Sequence, residues 1–171
     1  EMIAGKEASG GVYSKWFVIK ALLLPWGDYL DTTLNEIKAV FLDLDGTIYM
    51  GDELIPGSIE FLKRLNDNNI RYFFLSNNSS KSITQYLEKL RSLSIPAKKE
   101  DILLSTHDLI NWLNNKNVTK IYLVGTKGMQ EMLESENIET RANDPEYVVL
   151  GYDTEINYEK LSKASSFLHN G

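Results

Sequence analysis

Two aspartates separated by one residue, Asp43 and Asp45, follow an apolar run and precede a glycine. The run from Ala39 to Leu42 has the composition of a strand buried on both faces, and Gly46 provides the turn that ends it. Such a strand delivers Asp43 at its carboxyl end, where open α/β sheets bind their ligands. Side chains two residues apart on a strand point the same way, so both carboxylates are expected to serve one site.

This pair of carboxylates suits phosphoryl transfer. Asp43 can attack phosphorus as a nucleophile and form an aspartyl-phosphate, while Asp45 can protonate the leaving oxygen and later deprotonate a water. Two carboxylates that face a phosphate need a cation between them, and Mg²⁺, which takes carboxylate, carbonyl and phosphate oxygens, is the expected ion. Gly46 has no Cβ, so the backbone there can approach a phosphate closely.

Two simpler interpretations compete with phosphoryl transfer. An Asp-Gly turn commonly ends a strand without any chemistry. A calcium-binding loop requires a glutamate at its twelfth position, which counted from Asp43 is Leu54, and no helical pattern precedes the loop. The spacing therefore argues against calcium and leaves the plain turn and the phosphoryl-transfer site open.

The stretch from Asp43 to Thr47 resembles the first motif of the haloacid dehalogenase-like phosphatases. The second motif of that family is a strand ending in Ser or Thr, and the stretch from Ile70 to Ser76 is similar to it. Shorter stretches resemble the p-nitrophenylphosphatase-like branch, at 46–49, 55–57, 76–80, 123–126 and 148–151. The resemblance covers about residues 38–171 and implies a Mg²⁺-dependent phosphatase of small phosphorylated metabolites.

The resemblance also implies a role for each site residue. Asp43 is the expected nucleophile and a metal ligand, and Asp45 is the acid/base, whose backbone carbonyl also binds the metal. The Ser76 hydroxyl is expected to hydrogen-bond a phosphoryl oxygen. Asn77 and Asn78 follow in a loop that can aim backbone N–H groups at the same oxygens, and Gly46 completes the phosphate site.

Apolar periodicity predicts the elements that position these residues. A hairpin or turn is expected over 48–56, a helix over 58–66 and a strand over 70–75. The helix is expected to form a right-handed crossover between this strand and the parallel strand that ends at Asp43. Ser79 or Ser80 is expected to cap the next helix, and a short strand is expected over 102–104.

A smaller module repeats the pattern from about Val118. Strands are expected over 118–124 and 147–150, with helices capped by Thr126 and Asn157. The predicted fold class is α/β, a doubly wound parallel sheet with an inserted α/β cap. The predicted domains are an N-terminal segment (1–36), a partial catalytic core (37–115) and the first part of the cap (116–171).

Composition limits the partners. The 171 residues carry a formal net charge of −6 and contain no cysteine. The acidic balance argues against nucleic acid, and the absence of cysteine excludes disulfides and is compatible with a cytoplasmic protein. No apolar run approaches the ~20 residues of a membrane span. Homo-oligomers are possible, because an incomplete sheet exposes an apolar edge.

Other polar residues are given structural roles. Five residues lie at strand ends in the predicted cap, and we interpret them as turn residues rather than as the lining of a substrate pocket: Gly125, Thr126, Gly151, Tyr152 and Asp153. His107 and His169 have no second ligand at metal-binding spacing and are interpreted as structural or surface residues. The charged residues of the helices are interpreted as solvated faces.

The lysine and the remaining metal-binding acids of the family have no match after Ser76. The chain is therefore expected to be a fragment that stops within the cap, unless Lys6 and Asp28 or Asp31 supply these groups from the N-terminal segment. The alternative hypothesis is a catalytically weak fragment that binds phosphate or a partner chain. A dehalogenase is disfavoured, since breaking a carbon–halogen bond leaves no oxygen for Asp45 to protonate.

Overall fold

A computed structural model describes residues 37–170 of the chain. The predictions for residues 1–36, including the alternative that uses Lys6, Asp28 and Asp31, lie outside the described residues. The strands are β1 (Ala39–Asp43), β2 (Tyr49–Met50), β3 (Glu53–Leu54), β4 (Arg71–Ser76), β5 (Ile102–Leu104), β6 (Ile121–Val124) and β7 (Tyr147–Leu150). The helices are α1 (Ser58–Asp67), α2 (Ile83–Ser92), α3 (Ser105–Asn115), α4 (Lys127–Glu134) and α5 (Tyr158–Asn170).

A parallel sheet carries the predicted nucleophile strand. Strand β1 pairs with β4 in parallel, from Ala39 opposite Arg71 to Asp43 opposite Leu75. The strand order in this sheet is β1-β4-β5. The predicted α/β class with a parallel sheet is confirmed.

The described residues divide into two compact units, 37–75 with 92–102 and 76–91 with 103–170. In the first unit, α1 buries Leu62 and Leu65. Strands β2 and β3 form an antiparallel hairpin, as predicted. The Ser58 hydroxyl donates to the Ile48 carbonyl at 2.9 Å and fastens the start of α1 to the hairpin. The predicted boundary at residues 115 and 116 stays a prediction.

The second unit contains its own small parallel sheet. Strand β6 pairs with β7, from Ile121 opposite Tyr147 to Val124 opposite Leu150. Helix α5 packs against β6 and β7. The core between them consists of Tyr122, Val124 and Ala164, with Val148 and Phe167 packed against these residues.

Strand β6 is shorter than predicted and begins at Ile121 rather than Val118. The Val118 N–H donates to the Leu113 carbonyl at 2.9 Å, so this residue completes the end of α3. Asn117 adopts the left-handed conformation that commonly ends a helix, with φ 56°. Helix termination therefore uses residues that the apolar pattern assigned to the strand.

Two predicted helix caps are confirmed. The Thr126 hydroxyl accepts the Met129 N–H at 3.3 Å, and the Asn157 side chain accepts the Lys160 N–H at 3.0 Å. Within residues 37–170, no helix is long and apolar enough to cross a membrane.

The predicted cap of α2 was wrong. The helix begins at Ile83, and Ser82 precedes it. The Ser82 hydroxyl accepts the Gln85 N–H at 3.4 Å while the Gln85 side chain accepts the Ser82 N–H at 2.8 Å, which is a reciprocal capping arrangement. The Ser79 hydroxyl instead accepts the Tyr152 N–H, and the Ser80 N–H donates to the Asn78 side chain. The turn before α2 therefore continues for two more residues, to Ser82.

Candidate active site

The acid turn, defined as residues 43–49, leaves the carboxyl end of β1. Leu42 and Leu44 are fully buried, whereas Asp43 and Asp45 are exposed. Because buried leucines alternate with exposed aspartates, both carboxylates point away from the core and in the same direction. The acid turn therefore presents two carboxylates together.

Backbone hydrogen bonds close the acid turn. The Leu44 carbonyl lies 3.2, 3.0 and 3.3 Å from the backbone nitrogens of Thr47, Ile48 and Tyr49, all of which donate to it. The Gly46 N–H donates to the Tyr49 carbonyl at 2.7 Å. Gly46 has φ 82°, and a Cβ there would meet nothing within 4 Å. A glycine is favoured at this position by its conformation rather than by crowding.

The two carboxylates themselves have few partners. The Tyr49 hydroxyl donates to Asp45 Oδ2 at 3.5 Å, which is at the long end for a hydrogen bond. Within residues 37–170, the Asp43 carboxylate has neither a hydrogen bond nor an ion pair. The side chains are thus positioned by the backbone and left available for a cation or a substrate.

The serine loop, defined as residues 76–82, leaves the carboxyl end of β4. Ser76 is the last residue of that strand and follows Leu75, which lies opposite Asp43 in the sheet. Ser76 is 4% exposed, and its hydroxyl lies 2.7 Å from the Tyr86 hydroxyl. The Asn78 N–H donates to the same Ser76 oxygen at 3.2 Å.

The two asparagines of the serine loop differ in their engagement. The Asn78 side-chain oxygen accepts the Ser80 N–H at 2.9 Å and closes a turn. Asn77 is exposed, and its backbone carbonyl accepts the Ser105 hydroxyl at 3.2 Å. Because the backbone N–H of Asn78 is already bonded to Ser76, Asn78 serves the loop in this conformation; a direct contact with phosphate stays a prediction for both asparagines.

The serine loop is tied to strand ends of the second unit. The Thr126 hydroxyl donates to the Ser80 carbonyl at 2.6 Å, and the Tyr152 N–H donates to the Ser79 hydroxyl at 2.9 Å. A Cβ on Gly128 would lie 2.7 Å from the Ser82 nitrogen, so α4 approaches the loop more closely than any side chain permits. Thr126, whose predicted role as a helix cap is confirmed, therefore also holds the serine loop.

Lys160 was assigned to a solvated helix face, and that prediction was wrong. The residue is 8% exposed, and its ammonium donates to the Gly125 carbonyl and to Asp153 Oδ2, both at 2.8 Å. The Asp153 side chain is 1% exposed. Helix α5 turns this face toward β6, so the charge is buried with a partner. The interpretation of Gly125 and Asp153 as turn residues rather than pocket residues stays a prediction.

The two histidines are also structural or surface residues, as predicted. His107 Nδ1 accepts the Leu104 N–H at 3.0 Å at the start of α3. His169 is exposed near the end of α5.

The oxygen donors of the acid turn are of the kind that Mg²⁺ binds. Residues 37–170 contain no group of three or more His, Cys, Asp or Glu side chains arranged to hold a metal. Mg²⁺ is usually bound by one or two carboxylates, with water and substrate phosphate completing its shell. The exposed carboxylate of Asp43 and the backbone carbonyl of Asp45 are oxygen donors of that kind, so the residues fit this ion.

A protein-family model of haloacid dehalogenase-like hydrolases matches residues 40–139, more than half of the chain. The chain belongs to the haloacid dehalogenase-like hydrolases. The matched residues include both the acid turn and the serine loop. The resemblance seen in the motifs is confirmed at the level of the family.

Relatives of this hydrolase chain carry phosphatase names. It is 34% identical over 141 residues to an acid sugar phosphatase of Staphylococcus epidermidis, covering 81% of this chain and 54% of that protein. It is 33% identical over 140 residues to an acid sugar phosphatase of Staphylococcus aureus, again with 81% and 54% covered. The chain thus spans about half the length of the curated relatives it matches.

Solved structures agree with this placement. A 4-nitrophenylphosphatase from Thermotoga maritima superposes with a TM-score of 0.76 at 34% identity, covering 81% of this chain and 53% of that one. A p-nitrophenyl phosphatase from Archaeoglobus fulgidus gives a TM-score of 0.71 at 30% identity, with 79% and 52% covered. The hydrolase fold and the predicted branch are therefore supported by sequence and by structure.

Sequence reasoning missed the contact between the hydroxyls of Tyr86 and Ser76. The apolar spacing of α2 indicated only that Tyr86 faces the core, and it does so with 0% exposure. A tyrosine among leucines in a buried stripe is the available signal, because a buried phenol needs a hydrogen-bond partner.

Proposed function

We propose that the protein containing this chain is a Mg²⁺-dependent phosphatase that hydrolyses small phosphate monoesters through an aspartyl-phosphate on Asp43. The observation that carries the proposal is the exposed carboxylate of Asp43 at the end of β1, which has no hydrogen-bond or ion-pair partner among residues 37–170. It lies opposite Leu75 and two residues before a second exposed carboxylate. The phosphatase names of the relatives support the same reaction class.

The proposed reaction has two steps. In the first, a carboxylate oxygen of Asp43 attacks phosphorus, the bond to the ester oxygen breaks, and Asp45 donates its proton to that leaving oxygen. In the second, Asp45 takes a proton from a water, which attacks phosphorus and releases Asp43 and inorganic phosphate. The exposure of both aspartates lets them meet a substrate without rearrangement of the core.

The proposed phosphate site uses neutral donors. The Ser76 hydroxyl donates to one phosphoryl oxygen, and the backbone N–H of Asn77 donates to another. The Gly46 N–H is already bonded to the Tyr49 carbonyl, so Gly46 contributes by letting the backbone approach the phosphate closely. Asn78 contributes by holding Ser76, to which its N–H donates. Such donors bind phosphate without adding charge to a site that already contains two carboxylates.

The Asp43 carboxylate and the Asp45 backbone carbonyl are the proposed ligands for Mg²⁺. When bound, the ion offsets the repulsion between the carboxylates and the phosphate and stabilises charge on the transferred group. The role of the chain's own residues is to hold two oxygens at the end of β1.

The proposed substrate is a small phosphorylated metabolite, with sugar phosphates first among the candidates because of the names of the relatives. Neither nucleic acid nor a membrane is a proposed partner, and the proposed location is the cytoplasm. A screen of phosphorylated metabolites against the full-length protein identifies the substrate.

Beryllofluoride, which mimics a phosphoryl group on a carboxylate, tests this proposal. With Mg²⁺ present, the wild-type protein should form a stable adduct that fluorine NMR detects, and Asp43→Asn should form none. The matched control is Asp101→Asn, an aspartate of the same unit outside the acid turn, which should form the adduct normally. A wild type without adduct would favour a protein that only binds phosphate or a partner chain.

A further inference from the structure

Tyr86 is fully buried on α2, and its hydroxyl oxygen lies 2.7 Å from the hydroxyl oxygen of Ser76. Both residues belong to the second unit, and Ser76 is itself only 4% exposed. The ammonium of Lys81 lies over the Tyr86 ring, 5.4 Å from its centroid. The contact thus joins two buried hydroxyls, and one of them belongs to Ser76, the last residue of β4.

The capacity of the Ser76 hydroxyl limits how this contact can be arranged. A serine hydroxyl has one proton to donate and two lone pairs that accept. The Asn78 N–H, at 3.2 Å, occupies one lone pair. If Tyr86 donates, the second lone pair is also occupied, and the Ser76 proton is left for another acceptor. If Ser76 donates to Tyr86 instead, its only proton is used inside the protein.

A phosphoryl oxygen discriminates between these two arrangements, because it accepts hydrogen bonds and its ionised form has no proton to donate. Only the arrangement in which Tyr86 donates leaves Ser76 able to bind it. We propose that Tyr86 is a positioning residue that donates to Ser76 and thereby commits the Ser76 hydroxyl to donate to the phosphoryl group. This inference rests on the proposed function, which assigns Ser76 to the phosphate.

Packing alone does not require the hydroxyl of Tyr86. A phenylalanine would fill the same buried position, and α2 already has Leu90 on its buried face. The phenol instead adds a polar group to the core, which is costly unless it is hydrogen-bonded. Its contact with Ser76 meets that need and fixes the direction of the serine proton.

Tyr86→Phe in the full-length protein tests the inference, with inorganic phosphate as the probe. The variant should bind phosphate roughly threefold to tenfold more weakly, about the worth of one hydrogen bond, and should fold like the wild type as judged by Tm. Tyr122→Phe is the matched control, since Tyr122 is also buried in the second unit but packs against Phe167. That control should bind phosphate like the wild type.

A double-mutant cycle separates positioning from a general structural effect. Ser76→Ala should weaken phosphate binding, and adding Tyr86→Phe to it should weaken binding no further, because Tyr86 acts through Ser76. Equal losses in the two backgrounds, or unchanged phosphate affinity in Tyr86→Phe, would overturn the inference. A wild type that binds no phosphate and forms no beryllofluoride adduct would instead overturn the proposed function together with it.

Discussion

The acid turn and the serine loop lie at the ends of neighbouring parallel strands, yet they are built in opposite ways. The acid turn is fixed by its backbone, with three N–H groups directed at the Leu44 carbonyl, while its carboxylates are exposed. In the serine loop the side chains are also engaged: Ser76 with Tyr86, and Asn78 with Ser80.

This difference corresponds to the two proposed chemical tasks. A nucleophile and an acid/base must exchange bonds and protons, so partners that had to be displaced first would slow them. A donor to a phosphoryl group works best when its orientation is set before the substrate arrives. The comparison predicts that variants of the acid turn mainly change activity, whereas variants around the serine loop also change stability.

Asp43→Asn has the largest expected effect. An amide cannot attack phosphorus, so activity toward p-nitrophenyl phosphate should be abolished, while the free energy of unfolding should stay within about 0.5 kcal/mol of the wild-type value because the side chain is exposed. Activity assays and denaturant unfolding of the same preparation measure both. A large loss of stability would show that Asp43 has a structural role and would break the comparison.

Asp45→Asn should slow turnover by about 10²–10⁴-fold, the usual contribution of a positioned proton donor. The loss in the first step should be smaller for p-nitrophenyl phosphate than for an alkyl phosphate, because nitrophenolate leaves without needing a proton. Pre-steady-state rates for leaving groups of different pKa provide the measurement. Equal losses across the series would argue against an acid/base role.

Gly128→Ala should destabilise the protein by about 1–3 kcal/mol through crowding. The usual effect of Gly→Ala at an unstrained position is a gain of about 0.4–1 kcal/mol, so the sign itself is informative. The added Cβ would lie 2.7 Å from the Ser82 nitrogen, which is backbone and cannot swing away. Lys127→Ala, an exposed position of the same helix, is the control and should change stability little.

Thr126→Val should cost about 1–2 kcal/mol, since it removes the helix cap and the hydrogen bond to Ser80 together. Thr126→Ser keeps the oxygen that makes both bonds and should lose less. Chemical denaturation of the two variants gives the comparison. If Thr126→Ser loses as much as Thr126→Val, the methyl group contributes as much as the hydroxyl, and the two hydrogen bonds do not dominate the anchoring of the serine loop.

The sequence was sufficient to predict features that depend on local pattern. Apolar runs placed β1 and β4, and the spacing of Asp43 and Asp45 indicated two carboxylates on one side of a strand end. Thr126 and Asn157 were predicted as caps because the cap bond spans only three residues. Such features depend on neighbours in the chain, which is why a single sequence reveals them.

Features that depend on distant contacts were missed. The start of α2 was placed too early, because the Ser79 hydroxyl bonds the Tyr152 N–H, 73 positions away. Lys160 was assigned to solvent because neither partner lies on its own helix: Gly125 is 35 positions away, and Asp153 is 7 positions away in the segment before α5. The hydrogen bond between Tyr86 and Ser76 was missed for a related reason. The apolar stripe of α2 predicts that Tyr86 is buried, but it does not predict which group the phenol oxygen contacts.

The most direct test of the central claim is to find the phosphoryl group on Asp43. Asp45→Asn should accumulate a phosphoenzyme when mixed with p-nitrophenyl phosphate and Mg²⁺, because its first step needs little proton donation while its second lacks the base. Peptide mass spectrometry after acid quenching should place the phosphoryl group on Asp43, and the Asp43→Asn/Asp45→Asn double variant should contain none. A phosphoryl group on another residue, or its presence in the double variant, would contradict the account.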